Sequence, residues 1–370
     1  MKMKKIFSLI LTVLLLIGLA ACNTVDNPSD ADSQTRTITD AYGRKVEIPT
    51  NIESIICVGS GALRMVTYLD ATDLLVGMED ADKEYEISTK RDYAHVYYEQ
   101  FKNLPAVGKG GGTTYTAYPE EVIKVNPDVI ICCYAQDAAE QLAKETGIPV
   151  VCIRWQSTNF IDETVYSALE LLGDILNKQA RCDEIISFID TCKEDLNNRT
   201  KDVPDSEKPT VYTGAVTFSG AHGFAGTYAN FGPFMAINAI NVADATDEKS
   251  SFEVDLEKVL VWNPDIIFLD PGNMNLVNEE YAKNPNFFKS LKAVQNKEVY
   301  TMPSFNNYST NITYAIMDAY FSGTVLYPEK FADIDIAEKS NEILEFFLGK
   351  GYYDEMVADG LGFGKLTIGE

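Results

Sequence analysis

Short apolar runs alternate with amphipathic stretches along most of this chain. The runs contain few polar positions, which is typical of parallel strands that are covered on both faces. They are, in chain order, IESIICVG (52–59), DLLVGM (73–78), DVIICC (128–133), IPVVCIRW (148–155), TVYTGAV (210–216), DIIFLD (265–270) and KEVYTMP (297–303). Stretches with helical periodicity, such as 62–71, 231–240 and 311–326, lie between them. The alternation predicts an α/β fold with a mostly parallel sheet in each half of the chain.

One phrase of the sequence occurs twice, as EEVIKVNPDVII at residues 120–131 and as EKVLVWNPDIIF at residues 257–268. Six of the twelve positions are identical, and the copies lie 137 residues apart. In each copy an apolar helical face ends at Asn-Pro, because the residue before proline is pushed towards extended geometry, and a buried strand follows. Asp255 is placed to cap the second helix, and Pro119 suits the first position of the first helix. The repeat predicts two lobes with the same plan.

Residues 159–200 separate the two lobes and show helical periodicity without an internal proline. We expect Gly173 to divide this segment into two helices, of which the second carries an apolar stripe. The prediction is therefore two Rossmann-like lobes, residues 36–158 and 201–370, joined by one long α-helix, with a ligand cleft between the lobes. A helical connector is stiffer than a loop, which favours small lobe motions over a large hinge closure.

The amino-terminal residues follow a different pattern. A start with three lysines precedes an apolar run over 6–21, which is shorter than the roughly 20 residues of a spanning helix. The run ends in LAAC, which resembles the lipobox of bacterial lipoproteins, where cleavage precedes a cysteine that is then lipidated. We therefore predict a lipoprotein signal peptide over 1–21, lipidation of Cys22 and a disordered polar tether over 22–35. The alternative is an ordinary signal peptide with an incidental cysteine.

Six further cysteines are distributed along the chain. Four of them lie in apolar strand-like runs, where we expect buried thiols rather than metal ligands. These four are Cys57, Cys132, Cys133 and Cys152. Cys182 and Cys192 stand ten residues apart on a predicted helix, which is about 15 Å along its axis and too far for a disulfide. No CxxC pair occurs, so a zinc knuckle is not indicated.

The net charge of −24 excludes the broad classes that bind polyanions. A nucleic-acid binder or a polybasic membrane-surface protein shows the opposite balance. Enzyme signatures are also missing: GxSxG and HExxH are absent, and GKGGG (108–112) matches neither a P-loop nor GxGxxG. We predict no enzymatic activity, with a lipid-anchored extracytoplasmic hydrolase as the alternative from another class.

Several segments, in their order along the chain, resemble the helix-linked (class III) substrate-binding proteins of ABC importers. That family binds ferric siderophores, haem and vitamin B12. The segments are 37–80, PEEVIKVNPDVII (119–131), SGAHGFAGTYANFGPFMAINAINVAD (219–244) and LYPEKFADIDIAEKSNEI (326–343). The resemblance covers about residues 36–356. It implies a monomeric receptor, anchored by lipid on the outer face of the cytoplasmic membrane, with an ABC permease dimer and its ATPase subunits as partners.

In that family one surface glutamate on each lobe docks onto basic residues of the permease. The positions that match here are Glu120 and Glu257, the first residues of the two copies of the repeat. A two-fold permease presents two equivalent basic pockets, which gives the repeat a physical reason. The alternative is that helix N-termini favour glutamate through the helix macrodipole.

Ligands of open α/β sheets meet the carboxyl ends of the strands, and reading off those ends gives a predicted ligand site. Its residues are Ser60, Gly61, Arg64, Tyr115, Tyr134, Arg154, Trp155, His222, Asn307 and Tyr308. Asp270 and Asn273 follow a further strand end. The alternative interpretation is that the arginines pair with carboxylates, the aromatic residues belong to the core and His222 is a hydrogen-bonded turn residue.

The composition of this predicted site indicates the class of ligand. With only two histidines in the chain, a site for a bare metal ion is disfavoured, and we predict no resident cofactor. Arginines and aromatic rings suit an anionic iron complex of the siderophore, haem or corrinoid type. The alternative within the same receptor class is an oxyanion such as molybdate or tungstate. It requires a nest of N–H donors, for which the helix start at Ser60 and Gly61 is a candidate.

Overall fold

The computed structural model describes residues 34–83, 88–155 and 162–370. Within these residues the chain forms two α/β lobes joined by a pair of helices, which confirms the predicted fold class. No helix in the described ranges is long and apolar enough to cross a membrane.

The N-terminal lobe contains seven described strands and five described helices. The strands are β1 (Thr35–Thr39), β2 (Lys45–Pro49), β3 (Ile55–Val58), β4 (Leu75–Glu79), β5 (Ala106–Gly108), β6 (Val129–Cys132) and β7 (Val150–Cys152). The helices are α1 (Ala62–Tyr68), α2 (Asp80–Lys83), α3 (Asp92–Phe101), α4 (Pro119–Val125) and α5 (Gln136–Thr146). β1 and β2 form an antiparallel hairpin, and the others form a parallel sheet in the order β5-β4-β3-β6-β7.

Two helices, α6 (Glu163–Leu176) and α7 (Gln179–Thr200), connect the lobes. The break between them falls at Asn177, which adopts a left-handed conformation with φ 55°. The expectation that Gly173 separates the helices is therefore wrong. Gly173 lies inside α6, where an added Cβ would approach the Cβ of Cys182 to 3.0 Å, so glycine serves the close packing of α6 on α7.

The C-terminal lobe repeats the plan with a second sheet. Its strands are β8 (Thr210–Gly214), β9 (Gly226–Tyr228), β10 (Ile240–Asn241), β11 (Ser251–Glu253), β12 (Ile266–Leu269), β13 (Val299–Thr301) and β14 (Gly364–Lys365). Its helices are α8 (Gly232–Ala236), α9 (Leu256–Trp262), α10 (Met274–Lys283), α11 (Pro285–Ser290), α12 (Lys292–Gln295), α13 (Ile312–Leu326), α14 (Ile336–Leu348) and α15 (Tyr353–Ala358). The sheet order is β10-β8-β12-β13-β14, with only β14 antiparallel to its neighbour, and β9 pairs with β11 separately.

The repeated phrase forms the same structure in both lobes. Helices α4 and α9 each span seven residues and end at an asparagine in the left-handed region, Asn126 with φ 49° and Asn263 with φ 42°. The proline that follows starts the extended segment, and the strand after it, β6 or β12, lies between two parallel neighbours and is buried at every position. The phrase therefore places a central strand in each sheet.

The aspartate of the repeated phrase fixes the neighbouring strand. One carboxylate oxygen of Asp128 accepts hydrogen bonds from the backbone N–H and the hydroxyl of Ser54, at 2.8 and 3.0 Å, just before β3. Asp265 accepts the same two bonds from Thr210, at 2.9 and 2.8 Å, at the start of β8. This equivalence gives the repeat a structural reason that is independent of any partner.

The hydrophobic core continues from one lobe into the other. One cluster of buried side chains runs from β1 through α1 and α7 to α13, α14 and α15. On α14, Phe347 meets Tyr68 of the N-terminal lobe with ring centroids 4.9 Å apart, and Phe346 stacks on Phe188 of α7 at 4.0 Å. Helix α14 of the C-terminal lobe therefore packs on the N-terminal lobe and on α7, which ties the lobes together beyond the connecting helices.

Candidate functional site

A cavity of about 460 Å³, here called the interlobe cavity, lies between the two lobes. The N-terminal lobe contributes Ser60 and Gly112, and the C-terminal lobe contributes Tyr228 together with residues of the segments 217–220 and 305–310. Its lining consists of hydroxyl, amide and aromatic groups, and none of the lining side chains carries a formal charge. The cavity opens at the carboxyl end of β3, where the strand order of the sheet predicts a ligand site.

Arg64 of α1 holds the segment 305–311 from the opposite lobe. Its guanidinium donates to the carbonyl oxygens of Asn307 and Tyr308 at 2.8 and 2.9 Å and to the side-chain oxygen of Asn311 at 2.8 Å. It also pairs with Asp92 at 2.9 Å, and neither side chain of this pair is exposed. Burial disfavours the charged guanidinium, but the Asp92 carboxylate together with Tyr68 and Tyr93 outweighs that effect, and the pKa of Arg64 is raised.

Glu79, at the end of β4, forms a second link between the lobes. Its carboxylate accepts hydrogen bonds from the Gly59 N–H at 3.0 Å, from the Tyr134 hydroxyl at 2.9 Å and from the Tyr308 hydroxyl at 3.0 Å. Burial raises the pKa of Glu79 to about 7, against the lowering effect of these donors. The ring of Tyr308 also lies over the guanidinium of Arg91 at 4.1 Å. Tyr308 is therefore a C-terminal-lobe residue whose position is set by the N-terminal lobe.

Gly61 lies where Trp155 of the N-terminal lobe meets Ser309 of the C-terminal lobe. Its φ is 95°, and an added Cβ would approach Trp155 Cζ2 to 2.7 Å and Ser309 Cβ to 2.9 Å. Two polar groups at this junction are buried without a clear partner. The Ser309 hydroxyl has no hydrogen-bond partner among the described residues, and the Trp155 N–H has only the Cys133 thiol nearby.

A second cavity of about 590 Å³, here called the N-lobe cavity, lies at the carboxyl ends of β6 and β7. Trp155 lines it, and it adjoins the interlobe cavity because the consecutive residues Gly112 and Thr113 line one cavity each. Arg154 projects into it as an exposed side chain, with its guanidinium 5.4 Å from the ring of Tyr42. The two cavities together offer aromatic surface, a cation and many neutral donors along one edge of the lobe.

A third cavity of about 200 Å³ contains Asp270, Asn273 and Lys90. Burial raises the pKa of Asp270 to about 6, while the Gly272 N–H at 2.9 Å and the Thr217 hydroxyl at 3.2 Å act in the opposite direction. Asp270 and Asn273 therefore lie beside the interlobe cavity rather than in its lining.

The structure brings part of the predicted ligand site together. Ser60, Asn307 and Tyr308 line the interlobe cavity, and Arg154 and Trp155 line the adjoining N-lobe cavity. The structure corrects the expectation for Arg64, because its guanidinium is fully buried in the contact between the lobes and presents no surface to a ligand.

Three residues that were predicted to contact the ligand, two tyrosines and a histidine, have other protein groups as their partners. Tyr134 is buried, with its hydroxyl on Glu79, and Tyr115 hydrogen-bonds Glu145 on α5. Both ring nitrogens of His222 have partners, the Glu253 carboxylate at 2.9 Å and the Phe218 carbonyl at 2.8 Å. The imidazole also stacks on the Phe218 ring at 3.7 Å. None of these three side chains is in the lining of the interlobe cavity or the N-lobe cavity.

Sequence reasoning missed several residues that line the interlobe cavity. Among them are Thr217, Tyr228, Asn306, Ser309 and Thr310. The segment SFNNYST is a run of mostly polar residues between two apolar elements. This pattern applies to the whole segment, whereas the predicted site contained only Asn307 and Tyr308 from it. Tyr228 gives no such signal, because it is the last residue of the short strand β9, whose residues are all buried.

The two predicted docking glutamates occupy equivalent exposed positions. Glu120 and Glu257 stand in the first turns of α4 and α9. One helical turn later each helix exposes an aliphatic side chain, Ile123 at 49 % and Leu260 at 40 %. The equivalence of the helices thus extends to a pair of surface patches, each with a carboxylate beside an apolar group.

Two further predictions concern lipid and metal. Cys22, with the signal peptide and most of the tether, lies outside the described residues. Within the described ranges no three His, Cys, Asp or Glu side chains come together as a set of metal ligands.

The sequence matches the family model described as periplasmic binding protein over residues 55–305. The chain therefore belongs to the periplasmic binding protein family of extracytoplasmic solute receptors, and it is a substrate-binding protein of an ABC importer rather than a member of an enzyme family.

Among characterised proteins, the chain is similar to the molybdate-binding protein MolA of Haemophilus influenzae. The two are 25 % identical over 350 residues, which cover 87 % of this chain and 93 % of MolA. This relative matches nearly the whole of the receptor, so the likeness is not confined to one lobe.

Solved structures share the fold at lower identity. A periplasmic solute-binding protein from Veillonella parvula superposes with a TM-score of 0.68 at 21 % identity, covering 88 % of this chain and 97 % of that one. The structure of MolA with bound molybdate gives 0.65 at 22 %, covering 86 % and 99 %. The TroA-like protein FepB from Veillonella parvula gives 0.66 at 22 %, covering 90 % and 99 %. These likenesses establish the two-lobed fold.

Proposed function

We propose that this receptor captures an anionic iron complex, of the siderophore, haem or corrinoid type, and delivers it to its permease. The observation that carries the proposal is the junction at Gly61, where two adjoining cavities meet and two buried polar groups, Trp155 Nε1 and Ser309 Oγ, lack an ordinary partner. Buried polar groups are almost always hydrogen-bonded in native proteins, so two such groups on residues that line the two cavities support a ligand at this junction.

The size and chemistry of the cavities support a chelate. Each cavity has several hundred cubic ångströms, about 460 and 590 Å³, and small-molecule sites span roughly 300–1,000 Å³. The half-buried Tyr42 offers its ring to a flat apolar surface, and the Arg154 guanidinium offers paired N–H donors to a carboxylate or phenolate. The hydroxyl and amide groups of the interlobe cavity would accept and donate to the remaining polar edge.

A small oxyanion such as molybdate is the second candidate. It is favoured by the interlobe cavity itself, whose lining is neutral and rich in hydroxyl and amide groups. The molybdate-binding relative adds weight to this candidate. An oxyanion would leave the N-lobe cavity and Arg154 without a role, which is why the chelate is preferred.

Tryptophan fluorescence distinguishes the candidates, because the chain has only two tryptophans. Trp155 lies at the junction of the cavities, whereas Trp262 ends α9. We expect saturable quenching by a ferric siderophore, hemin or cyanocobalamin, retained in Trp262→Phe and lost in Trp155→Phe. Equal quenching in the two variants would indicate that the ligand absorbs the light and does not bind at Trp155.

Sodium molybdate and sodium tungstate form the second arm of the titration. Calorimetric binding of these oxyanions with no binding of the chelates would replace the main proposal with the second candidate. The absence of binding in both arms would contradict both candidates.

We also propose that Glu120 and Glu257 dock onto basic residues of the permease. Their support is the pair of equivalent patches, in which Ile123 and Leu260 add apolar contact beside the two charges. The double charge reversal Glu120→Arg with Glu257→Arg should abolish uptake and leave ligand affinity unchanged, because opposite charges set the encounter.

The matched control for docking is Glu163→Arg with Glu338→Arg. These are also exposed glutamates in the first turns of helices, α6 and α14. The control should transport normally. Normal uptake by the Glu120/Glu257 variant would show that these residues do not dock.

Lipid anchoring through Cys22 is proposed from the lipobox-like LAAC alone. Metabolic labelling with a radioactive fatty acid should mark the wild-type chain and not Cys22→Ser, which should leave the membrane fraction. Equal labelling of the two chains would rule out Cys22 as the site.

A further inference from the structure

Cys132 and Cys152 are directly opposite each other on neighbouring strands. They are register partners in the parallel pair formed by β6 and β7, at the carboxyl ends of both strands. Both are completely buried and belong to the same apolar cluster, so their side chains lie on one face of the sheet. Burial raises the pKa of the Cys132 thiol, and the nearby Cys152 thiol raises it further, which requires that the two sulfurs lie close together.

Each of the two sulfurs receives an N–H donor. The guanidinium of Arg44 donates to Sγ of Cys152 at 3.2 Å, and the backbone N–H of Tyr134 donates to Sγ of Cys132 at 3.3 Å. Thiolates are the nucleophiles of disulfide chemistry, and a cation or N–H beside a sulfur favours that form. Burial of the pair disfavours the thiolate, and the Arg44 cation and the Tyr134 N–H act in the opposite direction.

The spacing of the strands suits a cross-link. Neighbouring strands lie about 4.7–4.9 Å apart, and disulfides join residues whose Cα atoms are about 4.4–6.8 Å apart. No other two described cysteines are register partners on neighbouring strands. Cys57 is the register partner of Ile131, and Cys57 and Cys133 pack on the opposite face of the sheet. Cys182 and Cys192 are separated by nearly three turns of α7.

We propose that Cys132 and Cys152 are a modification site, at which exchange with a low-molecular-weight or protein disulfide forms a Cys132–Cys152 disulfide. The family to which the chain belongs works outside the cytoplasm, where disulfides form and persist. The thiolate of Cys152 attacks one sulfur of the oxidant R–S–S–R, releases one R–S⁻ and forms a mixed disulfide. The thiolate of Cys132 then attacks Cys152 Sγ and releases the second R–S⁻.

This exchange reaction is balanced without a further reactant. Two protein thiols are oxidised to one disulfide, one oxidant disulfide is reduced to two thiols, and the two protons pass to the released R–S⁻ groups. The product fixes the ends of β6 and β7 beneath the N-lobe cavity, where the neighbouring residues Cys133 and Ile153 form part of the lining.

The turn between β1 and β2 covers the pair. The N–H of Ala41 donates to the Cys152 carbonyl at 3.0 Å, and the Cys152 N–H donates to the Asp40 carboxylate at 3.2 Å. An oxidant therefore reaches Cys152 either during folding or when this turn lifts. Exchange on the folded protein should be slow, and it should accelerate in low concentrations of urea.

The test uses the full chain in buffers with increasing ratios of oxidised to reduced glutathione. After equilibration, the protein is acid-quenched, denatured, alkylated with N-ethylmaleimide and digested for mass spectrometry. We expect one cross-linked species that joins the peptide of Cys132 to the peptide of Cys152, and a loss of two alkylated thiols per chain. Cys57, Cys182 and Cys192 should stay alkylated at every ratio.

Single serine variants assign the bond, since Cys132 and Cys133 share one peptide. Cys133→Ser should retain the cross-link, whereas Cys132→Ser and Cys152→Ser should lose it. Three results overturn the proposal: alkylation of both thiols at every ratio in the wild-type chain, a stable glutathione adduct without cross-linking, or a cross-link that depends on Cys133. If a variant fails to fold, fragment ions of the wild-type cross-linked peptide that separate Cys132 from Cys133 assign the bond instead.

Discussion

Asp318 lies inside α13 with both carboxylate oxygens buried and without a hydrogen-bond partner among the described residues. Burial raises the pKa of its carboxyl well above the usual value, and the charge of the nearby Asp270 raises it further. The native state therefore holds this proton to a higher pH than the unfolded chain does, and stability falls as the pH rises above the unfolded value of about 4.

Asp318→Asn removes this titration while keeping the shape of the side chain. We expect the variant to gain stability over the wild type as the pH rises from 4, by up to about 1.4 kcal/mol per pH unit. Urea unfolding at pH 4, 5, 6 and 7 measures the trend. The exposed Asp247→Asn serves as the control and should show no such trend. An advantage of Asp318→Asn that is constant or shrinks with pH would contradict the assignment.

Gly61 is the second residue whose identity the structure explains. Its left-handed φ and its contacts with Trp155 and Ser309 leave no room for a side chain. Gly61→Ala should lower the free energy of unfolding by the backbone strain, about 1–2 kcal/mol, plus about 1–3 kcal/mol of overpacking.

Gly147→Ala is the matched control for that substitution. Gly147 has φ 71° and no atom within 4 Å of an added Cβ, so it carries the strain without the clash. Denaturant unfolding of both variants isolates the packing contribution of the junction. Equal losses would mean that Trp155 and Ser309 do not constrain Gly61.

At the level of elements, the repeated phrase has two separable parts. Its aspartates, Asp128 and Asp265, fix the first strand of each sheet, while its glutamates, Glu120 and Glu257, face solvent. Asp128→Ala or Asp265→Ala should lower the free energy of unfolding by about 1.5–3 kcal/mol, because each leaves backbone and hydroxyl donors without their charged acceptor.

The glutamates supply the control within the same phrase. Glu120→Ala and Glu257→Ala should change stability by about 0.5 kcal/mol or less, as exposed substitutions do. Chemical denaturation measures all four variants. If the aspartate variants are as stable as the glutamate variants, the aspartates of the phrase do not stabilise the fold.

The residues at which helices and strands begin and end show which structural features local sequence patterns can predict. The helix, proline and strand order was predictable because each step depends on residues within one turn of each other. The connector breaks at Asn177 instead of Gly173, because Gly173 packs against α7, and such a contact is not visible in periodicity. The helix predicted over 231–240 is shortened to α8, and its end becomes β10 beside β8.

At the scale of the whole molecule, the two lobes contact each other directly as well as through the connecting helices. Arg64 and Glu79 reach from the N-terminal lobe to the segment 305–311, and α14 packs on both lobes. Helix α7 of the connector is also bonded at both of its ends: Arg181 donates to the Tyr68 carbonyl at 3.1 Å, and Arg199 pairs with Asp333 at 2.6 Å. Lobe motion must break or carry these bonds.

We therefore expect ligand binding to move the lobes very little. Spin labels on Glu121→Cys and Lys258→Cys, at equivalent positions of α4 and α9 that are half-buried and exposed respectively, should change their separation by about 1 Å or less on saturation. Double electron–electron resonance with the ligand that binds in the fluorescence titration measures this distance. A displacement of several ångströms would show that the contacts between Arg64, Glu79 and the segment 305–311 open.

The sequence alone determined the two lobes, their parallel sheets and the equivalence of Glu120 and Glu257, because hydrophobic period, proline stops and an internal repeat are local properties. It also selected Ser60, Asn307 and Tyr308, which line the cavity between the lobes. Only the tertiary structure decided that Arg64 is a buried tie rather than a ligand contact, since its partners are Asp92, 28 positions away, and Asn311, 247 positions away. The same holds for Cys132 and Cys152, whose pairing depends on strand register. Long-range contacts of this kind depend on how the helices and strands pack together, and neither composition nor hydrophobic periodicity determines that packing.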